Sequence, residues 1–171
     1  MQFVPLLFSI SILLVNCAAF PGKTRSEVTE NSLFILPVKF HFTGFSFFEG
    51  ERQAIEQKIL DSGYKEDKNS HTLLEVILEE QTPDYPYPKL HFANLFLSLF
   101  SATIIPYHIV TNHRLVYRFR EDGKIVNEIE HRLTLHQYRG ILVLLISPFY
   151  WPSTVFRENI LTTWKREGEV L

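Results

Sequence analysis

Residues 107–137 alternate between apolar and charged side chains, and this constrains the fold more than any other stretch. Ile109, Leu115, Tyr117 and Phe119 are apolar, while Arg114, Arg118 and Arg120 between them are charged. Beyond Glu121-Asp122-Gly123 the alternation resumes, with Ile125, Ile129, Leu133 and Leu135 against Lys124, Glu128, Glu130 and Arg132. A period of two with one apolar face predicts two half-buried strands of a hairpin. A two-residue turn at Asp122-Gly123 would set apolar positions opposite polar ones. A three-residue loop, Glu121 to Gly123, with the glycine left-handed, pairs odd with odd. Phe119 then faces Ile125, Leu115 faces Ile129, and Arg114 faces Glu130. The interleaved Glu128 and Glu130 favour internal ion pairs for Arg114, Arg118, Arg120 and Arg132 over an anion-binding stripe.

Two apolar segments, residues 92–105 and 140–151, enter and leave this hairpin from neighbouring points. Neither is long enough to span a bilayer alone. In the first, Phe92, Leu95, Phe96, Leu99, Phe100 and Thr103 recur at helical spacing, with Asn94, Ser98 and Ser101 opposite. The second ends in Pro148-Phe149-Tyr150-Trp151-Pro152, an aromatic cluster of the interfacial kind. Burial of both segments beneath helices is one reading, because large exposed apolar patches are uncommon. A surface that lies on a membrane or takes a lipid chain is another, with Phe96, Phe100, Ile104, Leu144, Phe149 and Trp151 as contact residues. Assembly with an envelope protein partner is the third.

The remaining elements are predicted from shorter signals. Residues 32–44 read as a strand with Phe34, Leu36, Val38, Phe40 and Phe42 on one face, its Pro37 pointing to a sheet edge or bulge. Ser46 to Glu49 has capping-box spacing for a helix ending near Ser62, where Gly63 stops it. Its stripe is Ile55 and Ile59, extended by Ala54 and Leu60. Residues 71–80 form a second strand through Leu74, Val76 and Leu78, and the strand-helix-strand order favours a parallel crossover. Residues 81–90 carry three prolines and read as an extended connector. A final helix over residues 153–166 buries Phe156, Ile160, Leu161 and Trp164. The order β-α-β-β-β-α predicts a two-layer α+β fold: a mostly antiparallel four-stranded sheet with two helices.

The N-terminus is read separately. Residues 3–15 are almost wholly apolar, a length that fits a signal-peptide core and is short for a spanning helix. The single cysteine of the chain follows at once, in Leu14-Val15-Asn16-Cys17. Residues 1–16 are expected to be a signal peptide, residues 17–31 a lipidated N-terminus and flexible tether, and residues 32–168 a single α+β domain. Cys17-Ala18-Ala19 is also small-x-small, so cleavage after Ala19 and release of a soluble secreted protein is an alternative. Retention of an uncleaved anchor is a third.

Leu14-Val15-Asn16-Cys17 resembles a lipobox, with Asn16 in place of the common small residue as in relaxed, spirochaete-type lipoproteins. The chain as a whole resembles small, poorly characterised bacterial lipoproteins. They share a strand-helix-strand, an apolar stretch ending like Ile104-Ile105-Pro106-Tyr107, a hairpin, and a second apolar stretch ending in proline. The resemblance implies that Cys17 becomes the acylated first residue, carrying palmitate-type chains. It implies a lipid-anchored protein of the cell envelope, with Ala18 after the acceptor pointing to the outer membrane. No catalytic residues come with it.

Other chemistry is sparse. The 17 Lys and Arg do not exceed the 19 Asp and Glu, which argues against a nucleic-acid partner. One cysteine excludes an intramolecular disulfide and a Cys-rich zinc site. There is no nucleophile elbow, phosphate loop or dinucleotide fingerprint. In the expected register His113 faces His131, which is half a metal site at most and is better read as a polar pair at the sheet rim. No cofactor and no catalytic residues are expected, and the role is non-catalytic binding or assembly. An exported hydrolase is the alternative, requiring at least three polar side chains that converge in a cleft.

Overall fold

The computed structural model describes residues 17–28, 37–83 and 85–164. The fold is α+β. Seven strands are β1 (Cys17–Pro21), β2 (Arg25–Val28), β3 (Pro37–Thr43), β4 (Lys65–Glu66), β5 (Thr72–Gln81), β6 (Tyr107–Glu121) and β7 (Lys124–Arg139). Three α-helices are α1 (Glu49–Asp61), α2 (Pro88–Phe100) and α3 (Pro152–Thr163), with a 3-10 helix at Ile141–Leu145. The strands form one mixed sheet in the order β1-β7-β6-β5-β3-β4, with β2 also paired to β7. This corrects the expected four-stranded, two-helix plan: the sheet is larger, it is mixed, and a third helix is present.

Two strands come from the stretch expected to be a tether. Cys17 pairs with Arg139 and Pro21 with Leu135, and Arg25 to Val28 pair antiparallel with residues 129–132. Short edge strands of this kind are held by main-chain hydrogen bonds to a long neighbour, so they need no apolar alternation of their own. Residues 1–16 and 29–36, including Phe34 and Leu36 of the expected first strand, lie outside the described residues, as do residues 165–168.

The described chain packs as two compact units. Residues 17–22, 82–83, 85–111 and 134–155 form unit 1; residues 23–28, 37–81, 112–133 and 156–164 form unit 2. Unit 2 holds most of the hydrophobic core. Val38, Ile55, Ile59, Leu74, Val76, Leu115, Leu133 and Ile160 are fully buried there, each contributing roughly 1.5–3 kcal/mol by leaving water. The predicted parallel crossover is present: β3 runs parallel to β5, with Phe40 beside Leu74. The capping box is not used. Phe48 occupies the cap position without a side-chain bond, and Glu49 instead holds Arg52. Deep in unit 2 the Tyr117 hydroxyl pairs with Thr163 Oγ1 at 2.8 Å; at a half-buried position Trp164 Nε1 donates to Ser62 Oγ at 3.0 Å.

The opposite face of β5, β6 and β7 is charged and internally paired. Arg114 meets Glu79 at 3.1 Å and Glu130 at 2.7 Å, Arg118 meets Glu128, and Arg120 meets Glu75 at 2.9 Å. The hairpin tip differs from expectation. Asp122 and Gly123 both have positive φ (48° and 80°), a two-residue turn rather than a three-residue loop. Such a turn alone would place Arg118 and Glu128 on opposite faces. Their pairing requires one further residue to be absorbed beside the tip. Ile125 is accordingly 53% exposed instead of facing Phe119, while Asn127 is buried.

Gly44, at φ +84°, ends β3 where a Cβ would lie 1.8 Å from the Leu78 carbonyl oxygen. Gly44→Ala therefore has to push β3 off β5. It is expected to cost at least about 3 kcal/mol in urea unfolding, whereas Gly63→Ala, with open space around its Cβ, should cost clearly less.

Candidate functional site

Helix α2 starts at Pro88, which supplies the φ of a first helical turn and lacks an N–H that would be unsatisfied there. Its amphipathic pattern is inverted. Asn94 and Ser98 face the protein, and Ser98 is the buried residue of the helix. Asn94 Nδ2 donates to the Pro106 carbonyl at 3.1 Å, and its Oδ1 accepts from the His108 N–H at 3.0 Å. Leu90, Phe92, Phe96, Leu97, Leu99 and Phe100 point outward, Phe100 at 87% exposure.

A tight turn follows. Thr103 N–H donates to the Ser98 carbonyl at 2.7 Å, and Ala102 and Thr103 both adopt positive φ (48° and 65°). A β-branched residue there is strained. The turn is gripped by the second apolar segment: Ile141 N–H donates to the Thr103 carbonyl at 3.0 Å. A Cβ on Gly140 would lie 2.7 Å from that same oxygen, so only glycine lets the two segments meet this closely. Beyond it, Val143 and Ser147 turn inward and are buried. Leu142, Leu144, Leu145 and Ile146 turn outward, Leu145 at 81% and Phe149 at 79% exposure.

All six residues expected from sequence as contacts are exposed on unit 1: Phe96, Phe100, Ile104, Leu144, Phe149 and Trp151. The reading of residues 92–105 and 140–151 as core is thereby corrected. Their inward positions are Asn94, Ser98, Val143 and Ser147, and the apolar majority faces outward. Among the described residues of unit 1, Lys89 and Arg139 are the only Lys, Arg, Asp or Glu. Every other formally charged side chain described belongs to unit 2. No helix among the described residues is long and apolar enough to cross a membrane.

Cys17 opens β1 and is buried, its Sγ 3.7 Å from Gln137 Oε1. Burial pushes its thiol up, an effect opposed by the neighbouring Arg139 guanidinium. Ala18 and Ala19 are fully buried, and Ala19 N–H donates to the Tyr150 carbonyl at 2.8 Å. The Cys17–Arg139 pairing sets the start of β1 beside Gly140, where the exposed second segment begins.

A cluster of histidines and tyrosines in unit 1 was not anticipated from sequence. His91 Nε2 pairs with the Tyr107 hydroxyl at 2.9 Å, and its ring stacks on Tyr85 at 3.9 Å. His108 Nε2 and His136 Nδ1 lie 3.1 Å apart, and His108 also stacks on Tyr138. The available signal was the recurrence of His and Tyr in segments otherwise almost free of charge.

The expected rim pair, His113 and His131, is buried in unit 2 instead. His113 packs against Phe48 and Phe156; His131 packs against Tyr117, with its Nδ1 2.8 Å from Ser26 Oγ. Among the described residues no group of three His, Cys, Asp or Glu could hold a metal ion. The chain matches no protein-family model and no curated protein sequence.

Burial lowers the pKa of both His113 and His131. The folded state then disfavours the imidazolium that the unfolded chain forms freely. Their contribution to stability is intact above about pH 6.5 and is lost as pH falls below it. Chemical denaturation should show this acid-side loss, and His113→Gln with His131→Gln should flatten the slope.

Proposed function

We propose that this chain is a non-catalytic membrane-surface protein, anchored at its N-terminus and docked on a bilayer by the apolar surface of unit 1. The observation that carries the reading is the inverted helix α2, which turns Phe92, Phe96, Leu99 and Phe100 outward beside exposed Leu142, Leu145 and Phe149. A cluster of large apolar side chains turned outward together marks an interaction site. Its near absence of charge and its Tyr150-Trp151 rim suit the headgroup-to-acyl boundary better than a protein partner's polar rim. Half-burial of six such side chains would favour docking by about 5–10 kcal/mol before ordering costs.

The anchor is an acylated Cys17 at the first position of the mature chain, as in the lipoproteins that the sequence resembles, facing the cell envelope at the outer membrane. Two features support it. A product starting at Cys17 keeps every pairing of β1, whereas one starting at Phe20 loses Cys17, Ala18 and Ala19 from that strand. The junction also lies beside Gly140, so anchor and apolar surface share one end of unit 1. Because the folded thiol is buried and its pKa is raised, diacylglyceryl transfer to the sulfur would act before β1 pairs with β7.

The full chain reconstituted into vesicles containing brominated lipid tests the docking. Trp151 should be quenched in a Trp164→Phe background. Replacing Phe96, Phe100 and Phe149 together with serine should lower that quenching by roughly tenfold or more. A vesicle-bound chain whose Trp151 stays unquenched overturns the reading. Intact mass of the mature protein tests the anchor: diacylglyceryl and acyl additions on Cys17, abolished in Cys17→Ser, are expected. A mature chain starting at Phe20 rules the anchor out.

A further inference from the structure

Helix α2 is fastened to β6 through imidazole, phenol and amide groups, and this polar seam lies directly behind the outward apolar surface. His91 sits between Tyr85 and Tyr107 and touches Phe92 by ring edge at 6.4 Å. His108 is stacked on Tyr138, Tyr138 meets Phe20, and Phe20 meets Tyr150 of the exposed segment at 4.8 Å. The side chains in contact with the histidines are Tyr85 before α2, Tyr107 on β6 and Tyr138 on β7; beyond them Arg139 on β7 acts on Tyr107 and on Cys17 of β1, and Lys89 stands at the start of α2. None is a carboxylate. Asp84, the nearest acid in sequence, lies outside the described residues.

The His108–His136 contact at 3.1 Å needs one ring nitrogen to donate and the other to accept. One imidazolium can be shared across it, but two cannot. No described carboxylate of unit 1 offsets the charge that acid brings, so each proton bound adds to the two fixed cations, Lys89 and Arg139. Burial, and then the nearby His136 and His91, hold the His108 pKa down, so protonation of His108 needs a pH below the ordinary imidazole range.

We propose that unit 1 docks preferentially on anionic phospholipid and that the His91, His108 and His136 cluster makes this docking stronger on acidification. The inference rests on the membrane reading above and gives it a lipid class and a proton dependence. A cation near an anionic leaflet gains about 1 kcal/mol, so each charge added there should raise the docked-to-undocked ratio by roughly fivefold. On neutral lipid the same protons gain nothing.

The full chain, in the Trp164→Phe background, is placed in brominated vesicles of phosphatidylcholine alone or mixed with phosphatidylglycerol. Trp151 quenching is followed from about pH 7.5 to about pH 5. The expected result is a rise on the anionic vesicles only, removed by high salt and flattened in a His108→Gln, His136→Gln variant that keeps its neutral-pH quenching. The salt arm uses the unsubstituted histidines and stands even if the double variant does not fold. Quenching that is strong but unchanged with pH, or that rises equally on neutral lipid, overturns this inference and leaves the membrane reading intact. Absence of quenching under every condition overturns the membrane reading itself.

Discussion

Strand β7 has two edges, and the architecture follows from how they are filled. One edge carries β6, which the local hairpin delivers at short sequence separation. The other would present a row of unpaired main-chain groups along sixteen residues. Two short strands from near the N-terminus cover it in turn, β1 against residues 135–139 and β2 against residues 129–132. Gly22 makes the join between them, its N–H donating to the Thr134 carbonyl at 2.8 Å. The stretch from Cys17 to Val28 is thus held along its length by backbone pairing, with side-chain burial added at Cys17, Ala18 and Ala19. This explains how it can be rich in proline, glycine and charge and still be part of the sheet.

The distribution of charge follows a related logic. Unit 2 places its carboxylates and guanidinium groups on one sheet face, where Glu75, Glu79, Glu128 and Glu130 are shared among Arg114, Arg118, Arg120 and Arg132. The Arg114 and Arg132 guanidinium groups hold Glu130 below the usual carboxylate range. Partly exposed pairs of this kind contribute little each, but together they keep the face hydrated and leave no unmatched stripe for an anion. The described residues of unit 1 hold almost no such material. Its polar groups are amides, imidazoles and phenols used inward, and its outer positions are leucine, isoleucine and phenylalanine.

Much of unit 2 was legible in the sequence because its signals are local and periodic. The alternation of Leu74, Val76 and Leu78, the Ile55–Ile59 stripe and the Arg–Glu interleaving all reappear in the expected places. The tip of the hairpin was misread because turn type and strand register are separable: a two-residue turn satisfied the backbone at Asp122-Gly123, and the faces were re-aligned beside it. Strands β1 and β2 were missed because their stability comes from β7, which no local pattern in residues 17–28 can show. For α2 the period was readable and the direction was not. A helical repeat states which residues share a side; it does not state which side the protein covers. Asn94 settled that, by bonding both Pro106 and His108.

The inward polar face of α2 also affects how the protein comes apart. A helix held by greasy packing is released only when a core is opened to water. One held by an amide, an imidazole and a few backbone bonds exchanges those partners for solvent at small net cost, because each bond is worth only about 1 kcal/mol over its hydrated form. Residues 88–100 are therefore expected to open locally at a lower free energy than the apolar interior of unit 2.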